Sequence, residues 1–414
     1  MIKGYRVKAA CCALLGLTAL SIYGVRRGEV ANQPSQAIVR SSPTYSKTLL
    51  RSQRAEVTHT NVSLAELKVT KVRGAKGLTQ VHFVDENTGW VADRKLVFRT
   101  SDGGQNWEQL DLKIPSEASI SSLFFINNKL GWLSLIKMLD VEPFGHSSSS
   151  SLLMTSDGGN TWTQRAVYPN DVEISCLRFL NDDEGIATGN RIVRSSPSYP
   201  ELFVLITKDG GATWNDLSQK VNAAVSNEYG QANDLGADVS WELPARLLLL
   251  TPLGRIVSSS DHGTTWQTVT QLQGGYEYKT SYRKIHVTKR GTFRVIGDST
   301  GDDGAWGDLT LESKKNSWTS YELLGTPIFD AISRSEDEII VCGGDTRVEE
   351  AGIRNRLGPY FGTILLSRDA GKTWSVIYKS AITESFISLT KVNEYGYYAL
   401  SDAGTVVRFT LRRS

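Results

Sequence analysis

The chain has 414 residues, a formal net charge of +2, 40% hydrophobic residues and 22% charged residues. This composition is ordinary for a soluble globular protein, and the chain is long enough to form a large core. The near-neutral charge argues against bulk electrostatic attraction to nucleic acid, so we expect no nucleic-acid partner. The 37 glycines, 10 tryptophans and 15 tyrosines suit an all-β protein with many turns.

Residues 1–27 have the pattern of a signal peptide or an N-terminal membrane anchor. A short basic stretch with Lys3, Arg6 and Lys8 precedes a mostly apolar run over residues 9–25, which Arg26 and Arg27 end. No small-x-small cleavage site follows the run, which favours an uncleaved anchor. Cys11 and Cys12 lie at the start of the run, whereas a lipoprotein cysteine would lie at its end. We therefore expect an exported protein, on the periplasmic or lumenal side, tethered to the membrane or released after cleavage.

Residues 28–60 are rich in Ser, Gln, Arg and Thr, contain Pro34 and Pro43, and show little apolar periodicity. This composition predicts a flexible linker. The folded domain is then expected over residues 61–414.

One phrase, which we call the Asp box, recurs along this domain with the pattern Ser/Thr-x-Asp-x-Gly-x-x-Trp. Its five copies are Thr100–Trp107, Thr155–Trp162, Thr207–Trp214, Ser259–Trp266 and Ser367–Trp374. A sixth tryptophan, Trp318, follows residues that have lost the Asp and the Gly, and the six tryptophans are spaced by 52 to 56 residues. A nearly fixed period of this size predicts a repeat architecture.

The residues of the Asp box favour a structural turn. An Asp carboxylate can accept backbone N–H groups a few residues on, Gly supplies positive φ, and the Trp buries a large ring. An array of carboxylates for catalysis or calcium is the alternative, but active sites are not normally repeated five times. The predicted structural residues are Asp102, Trp107, Asp157, Trp162, Asp209, Trp214, Asp261, Trp266, Asp369 and Trp374.

Around the boxes, each unit contains short runs with period-2 alternation that predict four strands. Seven first strands begin near residues 78, 120, 174, 239, 282, 328 and 386. We predict an all-β, seven-bladed β-propeller of four-stranded antiparallel blades. The last unit lacks an outer strand, and we expect Leu64–Val72 to supply it by pairing with Val406–Leu411. An open sandwich or a two-domain β protein is the alternative.

In a four-stranded blade, the loop between strands one and two and the loop between strands three and four lie on one face of the propeller. The loop between strands two and three and the link to the next blade lie on the opposite face. The Asp boxes occupy the three-to-four connections. The long insertions fall in the other class, so we expect function-bearing loops opposite the Asp boxes. These insertions are residues 138–151, 189–200, 217–238, 297–308 and 343–361, and the serine run 147–151 is expected to be mobile.

Arginines and a tyrosine in or near these insertions are the candidate partner-binding residues. They are Arg94, Arg191, Arg194, Arg347, Arg354, Arg356 and Tyr360. Arginine beside aromatic residues suits docking of a carboxylate-bearing protein surface. Scattered solvated charge is the alternative. If the protein is exported, Cys176 and Cys342 could pair in a disulfide. They fall in predicted strands of distant repeats, however, so buried free thiols are expected.

The Asp box with its Trp resembles the bacterial neuraminidase repeat. The combination of Phe83–Trp90 (Phe-Val-Asp-Glu-Asn-Thr-Gly-Trp) with Thr100–Trp107 is most similar to the photosystem II stability and assembly factor family. The resemblance covers about residues 62–411. It implies an exported, membrane-associated, non-enzymatic propeller that binds a protein partner with arginines on one face. The Gly-Trp pair is kept only at 89–90 and 131–132, and the fifth box is lost.

The alternative function is a sialidase-like propeller that binds or hydrolyses glycans. The Phe/Tyr-Arg-Ile-Pro phrase of sialidases has no counterpart in the chain. Asp302, Asp303 and Asp308 could form paired carboxylates or a calcium loop, although their order departs from the usual calcium-loop spacing. We predict a non-enzymatic monomer with no cofactor and no metal site, bound to a membrane-associated protein partner.

Overall fold

The computed structural model describes residues 47–48, 51–75, 77–141, 145–194, 199–225, 238–243, 246–251, 254–272, 280–288, 291–301, 304–314, 317–324, 326–345 and 361–412. These residues form a nearly all-β structure of several four-stranded antiparallel sheets, as expected for propeller blades. We number the sheets 1 to 7 in the chain order of their first strands.

Sheets 1 to 3 follow one another along the chain, with strands in sequence order. Sheet 1 contains β5 (Gln80–Phe83), β6 (Gly89–Ala92), β7 (Val97–Thr100) and β8 (Glu108–Leu110). Sheet 2 contains β9 (Ala118–Phe125), β10 (Gly131–Val141), β11 (Gly145–Thr155) and β12 (Thr163–Tyr168). Sheet 3 contains β13 (Val172–Phe179), β14 (Gly185–Val193), β15 (Tyr199–Thr207) and β16 (Asn215–Asp216), followed by helix α1 (Ser218–Val225).

Sheets 4 to 7 repeat this order. Sheet 4 contains β17 (Asp238–Leu243), β18 (Arg246–Leu250), β19 (Arg255–Ser259) and β20 (Gln267–Leu272). Sheet 5 contains β21 (Thr280–Val287), β22 (Phe293–Gly301), β23 (Gly304–Lys314) and β24 (Ser317–Leu324). Sheet 6 contains β25 (Ile328–Ser333), β26 (Ile339–Asp345), β27 (Phe361–Ser367) and β28 (Thr373–Thr383). Sheet 7 contains β29 (Phe386–Lys391), β30 (Gly396–Ser401), β31 (Thr405–Leu411) and, from the other end of the domain, β4 (Leu64–Lys71).

Strand β4 is the outer strand of sheet 7. It pairs antiparallel with β31, with Val406 opposite Thr70 and Leu411 opposite Leu64. The strand expected beside Val406–Leu411 therefore lies there, so residues from the two ends of the folded domain share one sheet.

Part of the segment predicted as a flexible linker, 28–60, instead forms strands. β1 (Lys47–Thr48), β2 (Arg51–Arg54) and β3 (Glu56–Asn61) add in parallel to the outer strands of sheets 4, 5 and 6. We call residues 47–48 and 51–61 the strap. A linker composition was misleading here because an outermost strand gains backbone hydrogen bonds without needing a fully apolar face.

Buried side chains gather in seven clusters among the described residues, each between two neighbouring sheets. One cluster joins sheet 7 to sheet 1 through Tyr398, Phe83 and Val406. The first strand of each sheet also contacts the first strand of the next, and β29 contacts β5. Cys176 and Cys342 are buried free thiols, as expected.

Helix α1 covers the edge of sheet 3, where β16 has only two residues. The Asn222 side chain donates to the carbonyl of Leu202 at 2.8 Å and accepts from the Leu202 N–H at 3.2 Å. This amide takes the place that a neighbouring strand would otherwise fill. No helix within the described ranges is long and apolar enough to cross a membrane.

Candidate functional site

Each Asp box closes a turn on itself. In the first box Thr100 donates its hydroxyl to Asp102 at 2.9 Å and accepts the Gly104 N–H at 2.9 Å. Asp102 also accepts the backbone N–H of Gln105 and Asn106 at 3.0 and 2.9 Å. The carboxylate is therefore engaged by its own turn rather than presented to a ligand.

The other four boxes have the same geometry. Their carboxylates, Asp157, Asp209, Asp261 and Asp369, each accept a hydroxyl from the residue two before and an N–H from the residue four after. Hydrogen bonds, chiefly from the Thr161 and Thr265 hydroxyls, lower the pKa of Asp157 and of Asp261 to about 2. In every box the indole N–H of the tryptophan donates to the carbonyl of the glycine three residues before it. The five tryptophans are Trp107, Trp162, Trp214, Trp266 and Trp374.

An aromatic clamp, absent from the sequence-based expectations, joins successive sheets at three junctions. Trp90 of sheet 1 stacks on Phe125 of sheet 2 at 3.6 Å and donates its indole N–H to the carbonyl of Gly158 at 3.0 Å. The same arrangement joins Trp132 of sheet 2 to Phe179 and Gly210 of sheet 3. The clamp thus ties one sheet to the Asp box of the next.

At the junction of sheet 7 with sheet 1, Tyr398 takes the role of the tryptophan. Its ring stacks on Phe83 at 3.7 Å, and its hydroxyl donates toward the carbonyl of Glu86 at 2.8 Å and lies 3.2 Å from that of Gly103. Each clamp phenylalanine lies over a glycine that follows it by six residues, and a Cβ at Gly89 would come within 2.4 Å of the Phe83 ring. The Phe-x5-Gly spacing was the signal in the sequence that could have revealed the clamp.

On the opposite face, three of the predicted insertion loops are extensions of regular hairpins. Residues 138–151 belong to β10 and β11, 189–200 to β14 and β15, and 297–308 to β22 and β23, apart from the tips outside the described ranges. The strands β10 and β11 have 11 residues each, against 4 in each of β6 and β7. In its described part, this face therefore carries two-stranded ribbons.

The prediction that the serine run 147–151 is mobile was wrong. These residues lie in β11, and Ser148 and Ser150 are buried. Ser150 donates its hydroxyl to the Val172 carbonyl at 3.0 Å and accepts the Ile174 N–H at 2.8 Å. The alternate serines therefore fasten the ribbon of sheet 2 to the first strand of sheet 3.

Two of the predicted partner-binding arginines are engaged within the chain. Arg191 bonds to Glu201 at 2.7 Å and to Asp216 at 3.3 Å, and its guanidinium lies 5.3 Å from the centre of the Phe203 ring. Arg194 forms an ion pair with the buried carboxylate of Asp171, whose pKa it lowers. Both arginines brace the sheet 3 ribbon.

Arg94 is exposed in the turn between β6 and β7, on the face opposite the Asp boxes. Its backbone carbonyl accepts the Ile120 N–H of the next sheet at 2.8 Å. Arg347, Arg354, Arg356 and Tyr360 lie outside the described residues, as do Asp302 and Asp303. Of the predicted partner-binding residues, the described part therefore brings Arg191 and Arg194 onto one ribbon, with Arg94 on another sheet.

A groove of about 540 Å³ opens between β28 and β4 on the outer rim. Its lining is mostly apolar, with Leu64, Leu67 and Tyr378, and holds one carboxylate, Glu66. A glycosidase needs two carboxylates flanking the bond that it cleaves, so this groove does not meet that requirement. Within the described ranges no cluster of three or more His, Cys, Asp or Glu could hold a metal ion.

No protein-family model matches the chain, and no curated protein matches it. Solved structures do match. YCF48 bound to D1 peptide is 16% identical with a TM-score of 0.58, over 86% of this chain and 100% of that chain. YCF48 from Cyanidioschyzon merolae is 17% identical with a TM-score of 0.54, over 84% and 99%.

The GH74 xyloglucanase from Xanthomonas campestris is 14% identical with a TM-score of 0.56, over 84% of this chain and 54% of that chain. Proteins with different activities thus share this architecture, and identities of this size carry information on the fold alone. The chain has a β-propeller fold.

Proposed function

We propose that the chain is a non-enzymatic, exported scaffold that binds a protein partner through the face opposite its Asp boxes, in the manner of an assembly factor. The observation that carries the proposal is the likeness to YCF48 bound to D1 peptide, whose full length aligns with 86% of this chain. A protein of this fold can therefore bind a peptide of another protein.

In this proposal the seven sheets are the blades of a closed ring, with β4 as the last outer strand. The contact of β29 with β5 and the core cluster between sheets 7 and 1 support closure. The clamp formed by Tyr398 and Phe83 supports it further, because it repeats at the closing junction the contact found within the chain. A rigid ring holds its projecting ribbons at fixed positions for a partner.

We assign partner contact to Arg94 and to four residues of the insertion at 343–361, which are Arg347, Arg354, Arg356 and Tyr360. Arg191 and Arg194 are assigned a supporting role, because an arginine paired with buried or part-buried carboxylates has fewer donors left for a partner. The partner is a membrane-associated protein with exposed carboxylates. The predicted leader at 1–27 would keep the propeller, acting as a monomer, near such a partner.

The test is co-purification of the tagged full-length chain from solubilised membranes of its host, with captured proteins quantified by mass spectrometry. Combining Arg94→Glu, Arg354→Glu and Arg356→Glu should reduce capture of the partner at least about tenfold, since a tenfold loss corresponds to about 1.4 kcal/mol. Lys208→Glu reverses an exposed charge within an Asp box and is the matched control, expected to retain capture. Unchanged capture by the triple variant, with unchanged thermal stability, contradicts the proposal.

A glycan-binding or glycan-hydrolysing propeller is the second candidate, and the likeness to the GH74 xyloglucanase favours it. It would use Asp302 and Asp303 as the carboxylate pair. Incubation with xyloglucan and sialylated oligosaccharides, followed by chromatography, separates the two candidates. Hydrolysis that is lost in Asp302→Asn with Asp303→Asn would replace the scaffold proposal.

A further inference from the structure

The outer strand of each sheet has one edge that points away from the sheet, and an open edge offers unpaired N–H and C=O groups to another strand. The strap covers this edge in sheets 4, 5 and 6, and helix α1 covers it in sheet 3. In sheet 1 the outer strand β8 has only 3 residues. In the described part of the chain, the longer open edges are therefore those of β12, with 6 residues, and β4, with 8 residues.

The edge of β4 is straight and partly apolar. Over residues 66–71 the strand pairs with β31 without a bulge that would turn its edge away. Leu67 and Val69 are 44% and 47% exposed, and their alternate spacing places both on one face of the sheet. β12 exposes one large hydrophobic residue, Val167, and its only charged residue is Arg165. β4 is therefore the better template for a further strand.

The sequence of β4 is complementary to itself. An antiparallel pair of two copies centred on Leu67 would place Glu66 of each copy opposite Lys68 of the other. On the opposite face of the sheet, it would place Ala65 of each copy opposite Val69 of the other. Glu66 and Lys68 lie 2.8 Å apart within one strand and are 32% and 53% exposed, so both charges are available at the surface. Opposite charges and apolar side chains that face each other across an antiparallel pair stabilise it.

We propose that β4 is a self-association edge, through which two copies of this chain pair antiparallel about a twofold axis at Leu67. The pairing would join sheet 7 of one copy to sheet 7 of the other as one continuous sheet. One strand edge buries far less than the roughly 1,600 Å² of a stable complex, so the dimer is reversible and the monomer dominates in dilute solution. The inference goes beyond the proposed function, because this edge lies on the outer rim and leaves the face opposite the Asp boxes open to a partner.

The experiment is sedimentation velocity of the full-length chain in detergent from about 1 μM to about 1 mM, combined with a short bis-maleimide cross-linker. Every protein carries Cys11→Ala and Cys12→Ala, and Cys176 and Cys342 are buried, so the cross-linker reacts at an introduced cysteine. We expect the sedimentation coefficient to rise with concentration.

Leu67→Cys should give a cross-linked dimer, because the two copies of residue 67 lie opposite each other. Val167→Cys is the matched control, since Val167 is 51% exposed on the open edge of β12. This control should remain monomeric under the same conditions.

Two charge variants separate pairing from folding. Glu66→Lys and Lys68→Glu should each reduce the dimer about tenfold, because like charges then face each other across the pair. An equimolar mixture of the two variants should restore the dimer, because the lysines of one copy then face the glutamates of the other. Thermal unfolding of each variant checks that both are folded.

A chain that stays monomeric over the whole concentration range overturns the proposal. Cross-linking of Val167→Cys that equals that of Leu67→Cys overturns it as well. Dimers that survive both charge changes would place the self-association in another segment, such as residues 1–27, and a mixture that stays monomeric would contradict the antiparallel register.

Discussion

At the residue scale, the tryptophans show how one lost turn changes a side chain's surroundings. Trp374 is fully buried and donates its indole N–H to the Gly371 carbonyl at 2.9 Å. Trp318 is nearly as buried, but its box has lost the Asp and the Gly, and its indole N–H is buried without a partner. Trp318 therefore forms one hydrogen bond fewer than Trp374, although both tryptophans occupy the same place in the repeat.

We predict that Trp374→Phe lowers the free energy of unfolding by about 1 kcal/mol more than Trp318→Phe does, because only the first loses a hydrogen bond. Both changes remove the same atoms from a buried site, so each is the control for the other. Urea unfolding followed by circular dichroism provides the measurement. Equal losses for the two variants would show that the box turn does not hold its tryptophan through this bond.

The packing of His82 on β5 makes the stability of the protein depend on pH. Its ring centre lies 4.7 Å from that of Phe124 on the first strand of the next sheet. Burial, assisted by the charge of Arg178, lowers the pKa of His82 to about 4. The unfolded chain therefore binds a proton at His82 more readily than the folded protein does.

The lowered pKa of His82 contributes to the free energy of unfolding. This contribution is fully present above pH 6.5, which is about the ordinary histidine pKa, and is lost as the pH falls toward 4. We expect the fall in unfolding free energy between pH 7 and pH 4.5 to be about 2 kcal/mol smaller in His82→Phe, which copies Phe124 of sheet 2. Urea titrations of both proteins at the two pH values measure this difference. A parallel fall in the two proteins would show that His82 titrates normally.

At the element scale, the strap shows what the sequence concealed. Residues 28–60 read as a linker because polar residues and two prolines hide any alternation. Yet Ala55 donates its N–H to the Glu322 carbonyl at 2.9 Å, and Thr58 donates its hydroxyl to the Trp374 carbonyl at 3.0 Å. The apolar side chains of Ala55 and Val57 pack on the cluster between sheets 5 and 6. The pattern of apolar and polar residues does not reveal a strand whose stability comes mainly from backbone hydrogen bonds to its neighbour.

We predict that a chain beginning at Val62 unfolds several degrees below a chain beginning at Lys47, because sheets 4, 5 and 6 lose their fifth strands. Differential scanning calorimetry of the two truncated chains gives the comparison. Hydrogen exchange should speed up in β20, β24 and β28, while β8 and β12, which carry no strap strand, serve as internal controls. Identical unfolding temperatures would mean that the strap adds nothing to the fold.

The ribbons opposite the Asp boxes illustrate a second limit of sequence reading. The register of the boxes correctly predicts that residues 138–151 extend the second-to-third connection of their sheet, but their serines suggested mobility. Burial alternates along the run, with Ser148 and Ser150 inward. Small hydroxyl side chains can fill a tight interface and hydrogen-bond across it, which composition alone does not reveal.

At the scale of the whole molecule, the even spacing of the tryptophans was the most informative feature. It predicts repeated four-stranded units, and the Leu64–Lys71 strand lies where the last unit lacked one. The candidate site was less accessible to prediction, because the sequence placed Arg191 and Arg194 in one insertion but gave no sign of their partners, Glu201 and Asp171. Ion pairing depends on strands that lie side by side, which the spacing of arginines along the chain does not encode.

We propose above that a protein partner occupies the face opposite the Asp boxes. Hydrogen–deuterium exchange of the complex obtained by co-purification, compared with the free chain, tests it most directly. We predict protection at Arg94 and in the ribbons β10–β11, β14–β15 and β22–β23, with unchanged exchange in the box turns at 100–107, 155–162 and 207–214. Protection of the box turns, with the ribbons unchanged, would contradict the account.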